Sequence, residues 1–289
     1  MLNKEEFIQD IDKKKKEETK SIALYLTTHI TLYIVLIFFL IFFVWYTVFS
    51  VTHRYYIVEG ASMQPYLNNG IPATDQSSSK DAVYVNLNGK IEVYDVVVIE
   101  GVSKTSPSII KRVVAEEGDF VSIAKSGNSF FLFRIDAEDM TLNENNEYTT
   151  LVSDENALVF ENERNTGYEI RYVDWNGVDE RVYNGVHYDY KFYDEFINKK
   201  GYFDNDEKYH PYNYYVSSDD LIYVQVPENS TFCLGDNRAH SSDSRTYGFI
   251  SYDNIVGDVE ITVYNYSFVN RVFEVIKYYY YQVEEFFAR

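Results

Sequence analysis

The sequence of 289 residues has one cysteine, Cys233, and therefore cannot close an internal disulfide bond. Its fold must be held by packing and hydrogen bonds, even in an oxidising compartment. Cys233 lies in the apolar run 231–234. We expect it to be a small, buried, hydrophobic side chain.

Basic residues are also scarce, since 26 lysines and arginines stand against 45 acidic residues and the formal net charge is −19. Nucleic-acid binding requires Lys and Arg clustered on one face, and no such patch is present in the sequence. We therefore expect no nucleic-acid partner.

The five histidines do not point to a metal or to an obvious catalytic base. His29 lies in an apolar segment, His53 follows that segment, and His187 and His210 lie in a stretch without a recognisable motif. No His-x-x-x-His or Cys/His cluster occurs, and residues 204–207 lack the glycine and distal glutamate of a calcium-binding loop. We expect no cofactor and no metal.

Residues 30–49 form an uncharged run rich in Ile, Leu, Phe and Val. At ~1.5 Å per helical residue, this run matches a hydrocarbon core of ~30 Å and predicts a membrane-spanning helix. A cleaved secretory signal is the alternative, but its apolar region is usually only ~7–15 residues and a small-x-small site follows it. Trp45 and Tyr46 are placed for an aromatic belt at the outer interface.

The distribution of lysines predicts the orientation of this helix. Six lysines precede the apolar run, whereas only Arg54 follows it before Lys80. Because basic flanks stay in the cytoplasm, we expect residues 1–20 to be a cytoplasmic tail, residues 21–52 a single-pass anchor in the cell membrane, and the remainder extracytoplasmic.

Beyond the anchor, short apolar runs bounded by Gly, Asn, Asp and Pro predict a mainly β fold. The runs are 55–58, 83–87, 96–99, 109–114, 221–226, 232–234 and 260–264. We divide this part into a catalytic core in two pieces, a β-rich insertion subdomain and a C-terminal amphipathic helix. Their bounds are 53–119 and 226–266 for the core, 120–225 for the insertion and 267–289 for the helix.

The C-terminal helix is predicted by apolar residues at spacings of three and four. These are Phe268, Val272, Val275, Ile276, Tyr279, Val283 and Phe286. The segment is too charged to span a membrane, since each charge at mid-bilayer costs on the order of 2.5–3.5 kcal/mol. Two placements stay open, along the membrane interface or packed against the β domain.

Four motif blocks occur in a fixed order, and together they resemble the bacterial type I signal peptidases of the single-anchor, Gram-positive type. The blocks are 60–65, 95–99, 109–114 with Gly118 and Asp119, and 235–245 with Gly248 and 255–257. The resemblance covers the anchor, residues 55–119 and residues 226–259. It implies a membrane-bound Ser/Lys endopeptidase that cleaves signal peptides after small residues.

The resemblance also implies catalytic roles for three residues. Ser62, followed by Met63, is the nucleophile, and its own backbone N–H is an oxyanion donor. Lys111 is the general base, and its apolar neighbours favour a neutral amine, because burial lowers the pKa of a lysine. Ser241 holds that amine by a hydrogen bond.

Further residues are implied as substrate contacts and as structural support. The substrate set, in shallow apolar pockets, is Tyr56, Val58, Met63, Leu67, Val98 and Ile110. The supporting set is Gly60 in the serine turn and the ion-pairing residues Arg112, Asp236, Asp243 and Arg245. Tyr66, Tyr94, Ala115 and Glu117 depart from the family pattern, which puts loop geometry in doubt rather than chemistry.

The expected partners are signal peptides of exported preproteins and membrane lipid, with the secretion translocon as a further candidate. Two alternatives compete with the peptidase. One is a catalytically silent relative that binds exported chains or surface-assembly partners. The other is a self-cleaving repressor of the same Ser/Lys clan, which the membrane span and the missing DNA-binding domain oppose.

Overall fold

A computed structural model describes residues 4–69, 80–102, 107–126, 129–142, 148–150, 180–203, 207–265 and 267–288. The chain separates into two compact units, Met1–His53 and Arg54–Arg289.

The first unit is one long helix, α1, over Lys4–Thr52. It begins well before the apolar run, because the Lys- and Glu-rich flank consists of good helix formers. The part from Asp10 to Thr52 is long and apolar enough to cross a membrane by length and composition. Apart from Phe49, which is buried, the described Phe, Ile and Leu side chains of this part are exposed rather than packed, unlike those of a soluble core helix.

The second unit is mainly β, which confirms the predicted fold class. Its described strands, in chain order, are β1 His53–Ile57, β2 Ala82–Asn86, β3 Val96–Glu100, β4 Ser108–Ala115, β5 Phe120–Ser126, β6 Ser129–Ile135, β7 Met140–Leu142, β8 Tyr148–Thr150, β9 Glu180–Tyr183, β10 Val186–Asp189, β11 Gly201–Phe203, β12 Tyr209–Pro211, β13 Tyr214–Val216, β14 Ile222–Gln225, β15 Ser230–Leu234, β16 Ile250–Ser251 and β17 Ile255–Val263.

Three further helices accompany these strands. They are α2 Tyr190–Phe192, which continues as a π-helical turn over Tyr193–Asn198, α3 Ser244–Tyr247 and α4 Phe268–Ala288. A 3-10 turn over Arg238–His240 leads to Ser241.

The four motif blocks lie on one seven-stranded sheet or in the loops beside it. Its strand order is β1-β2-β17-β3-β4-β15-β16. Its pairs from β2 to β16 are antiparallel. The register sets Lys111 on β4 opposite Val97 on β3, and Arg112 opposite Leu234 on β15. Blocks that are more than 100 residues apart in sequence therefore meet at neighbouring strands.

A second sheet is formed by strands within residues 120–225 and follows the order β13-β14-β5-β10-β9, with β6 paired along β5. It joins the first sheet through an aromatic core. Phe232 on β15 packs against Phe192 and Phe196, with ring centroids 6.3 and 5.6 Å apart. The side chains of this core exclude water and fix α2 beside the segment after β15.

All seven predicted apolar runs contain strands, but β17 starts at Ile255 rather than at 260. Its register shifts on both sides of Gly257, where an added Cβ would lie 1.9 Å from the carbonyl oxygen of Asn86. The bulge and the close strand approach explain why a turn-like sequence forms sheet here. Cys233 is buried, and burial raises the pKa of its thiol to about 12, so it is an inert core side chain as expected.

Candidate active site

The loop after β1 presents Ser62. Gly60 adopts φ +80°, in the left-handed region that favours glycine, and this turns the chain out of the strand. The buried Asn68 closes the loop, since its Nδ2 donates to the carbonyl oxygens of Val58 and Gly60, each at 3.0 Å. Asn68 is itself held by Asp81, whose carboxylate accepts from the Asn68 N–H at 2.6 Å.

Lys111 extends from β4 to this loop. Its Nζ donates to Ser62 Oγ at 3.0 Å and to the carbonyl oxygen of Ile110 at 2.6 Å. The residue is only 3% exposed. Burial lowers the pKa of the Lys111 amine to about 8, although the carboxylates of Asp243 and Asp236 oppose the shift. A substantial neutral fraction is therefore present near pH 8.

Ser241 lies in the same region and is 3% exposed. A Cβ added to Gly235 would lie 2.2 Å from Ser241 Oγ and 2.6 Å from the carbonyl oxygen of Ser62, so these two residues pack across this glycine. Ser241 also favours the ionised carboxylate of Asp243. However, within the described residues its Oγ has no hydrogen-bond partner of normal geometry, the Lys111 amine included.

Two ion pairs brace the segment 235–245. Arg112 donates to the Asp236 carboxylate from Nε at 2.9 Å and from Nη2 at 2.7 Å. Arg245 binds Asp243 in the same bidentate way, at 2.9 Å for each contact. Burial favours the neutral carboxyl of Asp243, but Arg245 outweighs it and holds the pKa of this group below its usual value. Bidentate pairing fixes direction as well as charge.

Asn237 links the two halves of the site. Its N–H donates to the carbonyl oxygen of Ser62 and its Nδ2 to that of Ala61, each at 3.0 Å. Asn68 and Asn237 therefore both hold the serine loop through hydrogen bonds to its backbone carbonyl oxygens. Asn237 lies among residues 235–238 of the fourth motif block, where its amide could have been recognised as a group that binds the serine loop. Asn68 and Asp81 lie outside the motif blocks.

A cleft of about 440 Å³ opens beside Ser62 and Lys111. Four of the six predicted substrate contacts line it, namely Tyr56, Val58, Val98 and Ile110. The structure places the other two, Met63 and Leu67, beneath the wall of the cleft. They are 1% and 0% exposed and pack in the core of the first sheet, so they shape the cleft from behind instead of forming its surface.

Among the residues that the structure describes, no three His, Cys, Asp or Glu side chains lie together as metal ligands would. The polar side chains that line the cleft include the Ser62 hydroxyl and the buried Lys111 amine, together with Glu59, His240 and Ser242. A serine hydroxyl in hydrogen-bond contact with a buried amine of lowered pKa is suited to acyl transfer.

Comparison with known proteins agrees with this class of site. The family model described as signal peptidase, peptidase S26, matches residues 27–264, and the chain belongs to this family. Two signal peptidase I proteins, from Helicobacter pylori strains 26695 and J99, are each 34% identical over 55 residues. These matches cover 19% of this chain and 19% of each relative. A crystal structure of a signal peptidase I from Enterococcus faecalis V583 aligns with 16% identity and a TM-score of 0.25, covering 59% of this chain and 97% of that chain.

Proposed function

We propose that the chain is a membrane-anchored serine endopeptidase that removes N-terminal signal peptides from exported preproteins. Family membership supports the reaction class. The observation that carries the proposal is the 3.0 Å contact between Lys111 Nζ and Ser62 Oγ in a buried setting. This contact pairs a nucleophile with a base and needs no histidine.

In the proposed reaction, the neutral amine of Lys111 accepts the proton of Ser62 Oγ as that oxygen attacks the scissile carbonyl. The backbone N–H of Ser62 donates to the developing oxyanion. When the C–N bond breaks, the Lys111 ammonium gives its proton to the leaving amine. Lys111, neutral again, then accepts a proton from the water that attacks the acyl-enzyme and returns it to Ser62 Oγ as the ester C–O bond breaks.

The cleft supports a preference for small residues before the cleaved bond. Val58, Val98 and Ile110 contribute apolar side chains to its lining, and the Tyr56 hydroxyl is held by a hydrogen bond of 3.0 Å to Glu100. We propose alanine at the first and third positions before the bond as the preferred sequence. A larger side chain would have to displace packed strand residues.

We further propose that the N-terminus is cytoplasmic and that the β unit lies on the outer side of the cell membrane. The lysine-rich N-terminal flank and the apolar length of α1 support this orientation. Signal peptides and lipid are then the natural partners, and the secretion translocon, which delivers the substrate, is a candidate partner.

Cleavage of a preprotein by the full chain in detergent tests the proposal. The wild-type protein should release the mature product, and Ser62→Ala should lower turnover by on the order of 10³-fold or more, because the nucleophile is lost. Ser230→Ala is the matched control and should keep full activity, since the hydroxyl of this serine on β15 donates to the carbonyl oxygen of Glu228 in its own turn at 3.4 Å. Equal turnover by folded Ser62→Ala would refute the assignment.

A further inference from the structure

The insertion subdomain reaches the segment that carries Ser241 through one short helix. From α2, Lys191 Nζ donates a hydrogen bond of 3.1 Å to the backbone carbonyl oxygen of Ser241. Beside it, the buried carboxylate of Asp189 lies 3.5 Å from Arg245 Nη1 and also caps α2 by accepting from the N–H of Phe192 at 3.0 Å. Two consecutive contacts thus join residues 189–191 to the segment 235–245.

The surroundings of Lys191 make its amine a directed donor. The amine is partly buried, and burial together with Arg245 lowers its pKa, while Asp243 and Asp189 oppose the shift. These three residues are the charged groups that face it. The amine also lies 5.8 Å from the centroid of the Tyr190 ring while it donates to the Ser241 carbonyl.

This bond constrains Ser241, whose side chain packs beside the serine loop. The peptide of Ser241 is held on one side by Lys191, and the side chain packs across Gly235 on the other. Rotation of this peptide would carry Ser241 Oγ away from the serine loop and admit water beside Lys111. Water at that point would restore solvation of the ammonium form.

We propose that Lys191 is a positioning residue that holds Ser241 against the serine loop, so that water stays excluded from the Lys111 amine. This inference rests on the proposed Ser/Lys mechanism. It assigns a role in the reaction to the insertion subdomain, whose acidic, Tyr-rich sequence contains no motif that indicates one.

Lys191→Met tests the proposal, because methionine keeps most of the stem and removes the donor. With the full chain and a preprotein substrate, kcat should fall about tenfold while KM stays within about twofold, since the substrate cleft is untouched. The midpoint of the acid limb of kcat/KM should move to higher pH by about half a unit or more, because Lys111 becomes more hydrated. Lys191→Arg, which retains a charged donor, should recover much of the wild-type profile.

Lys199→Met is the matched control. Lys199 belongs to the same subdomain and pairs with Glu195 on the surface, so the kcat and pH profile should not change. Ser62→Ala is run in parallel to separate the two hypotheses. If Ser62→Ala is inactive and folded Lys191→Met matches the wild type in kcat and pH midpoint, only the role of Lys191 is refuted.

A purely structural role would give a different pattern. In that case Lys191→Met would lower the melting temperature, while the folded fraction would keep the wild-type kcat and pH midpoint, and the proposal would be overturned. If Lys191→Met does not fold, Lys191→Gln replaces it with the same criteria. Failure of both to fold would assign Lys191 to structure and would equally overturn the proposal.

Discussion

At the scale of single residues, the environment of Lys111 sets two effects against each other. Burial disfavours the ammonium form, whereas the carboxylates of Asp243 and Asp236 favour it. The effect of burial on the pKa is the larger one because both carboxylates are already paired, Asp243 with Arg245 and Asp236 with Arg112. The guanidinium groups thus neutralise the charges that would otherwise keep the lysine protonated.

The pH dependence of the reaction follows from this balance. Below a pKa of about 8 the neutral amine of Lys111 is the minor form, so kcat/KM should rise about tenfold per pH unit up to that value and then level off. Lys111→Arg cannot lose its proton at workable pH and should lower turnover by on the order of 10³-fold. A single-turnover pH series with circular dichroism of each variant measures both effects.

Lys90→Arg provides the control for this series, since Lys90 pairs with Glu92 on the surface and should leave the profile unchanged. Cleavage by folded Lys111→Arg at a rate near that of the wild type would show that another group is the base.

At the scale of elements, α4 uses two different faces. Arg271 lies over the rings of Tyr55 and Tyr84, 4.8 and 5.4 Å from their centroids, and ties the start of the helix to the first sheet. Tyr278 interacts with Glu260 on β17, and burial together with this carboxylate raises the pKa of the phenol. Packing against the domain therefore occupies one face of the helix.

The other face of α4 is apolar and exposed. Phe268, Val272, Phe273, Ile276 and Val283 all point away from the sheet. Tyr55, which contacts this helix through Arg271, follows the last residue of α1 by three residues in the sequence. We expect the exposed face to rest on the membrane that α1 is proposed to span.

A paired substitution separates lipid contact from domain packing. In the chain lacking residues 1–52, Phe273→Ser combined with Ile276→Ser should weaken binding to phospholipid vesicles roughly tenfold or more, because apolar area is lost from the lipid face. Its melting temperature should stay near that of the parent. Val275→Ser, on the half-buried face, should instead lower the melting temperature and leave vesicle binding intact. Unchanged binding by the double variant would exclude the lipid contact.

At the scale of the whole molecule, the features that could be predicted from the sequence are those that a local pattern of residues encodes. The apolar run of α1, the short β runs and the ordered motif blocks are each visible as a local sequence pattern. Ser62 and Lys111, predicted from two of these blocks, do meet at hydrogen-bond distance. Contacts that join distant segments have no such signal. The hydrogen bond from Lys191 to Ser241 spans 50 residues, and only the docking of the second sheet on Phe232 brings its two partners together.

The burial of Met63 and Leu67 illustrates the same limit. The serine motif gives their distance from Ser62 along the chain, but not the side of the loop on which each side chain lies. The first sheet decides this, since both residues pack against Val83 and Val85 of β2. Apolar character alone could not distinguish a cleft wall from the core beneath it.

The cleft is a property of the whole molecule, since β1, β3 and β4 and the segment around His240 all contribute to it. Its size should set the substrate preference. Replacing the alanine before the cleaved bond by leucine should lower kcat/KM by on the order of 100-fold, since the larger side chain meets Val98 and Ile110 at the wall. Aspartate at the same position should be cleaved no better, because its charge would lose hydration in an apolar pocket.

An enlarged cleft gives the sharper form of this prediction. Val98→Ala removes two methyl groups from β3 and should raise the cleavage of the leucine substrate several-fold relative to that of the alanine substrate, at a cost in stability of about 1–3 kcal/mol. Val97→Ala, on the opposite face of the same strand, is the matched control, because Val97 is buried with Ile99 and Val113 and, although it lies opposite Lys111, does not line the cleft. It should lose comparable stability without changing the ratio of the two substrates. Equal turnover of the leucine and alanine substrates by the wild-type protein would show that the cleft beside Ser62 does not receive this residue.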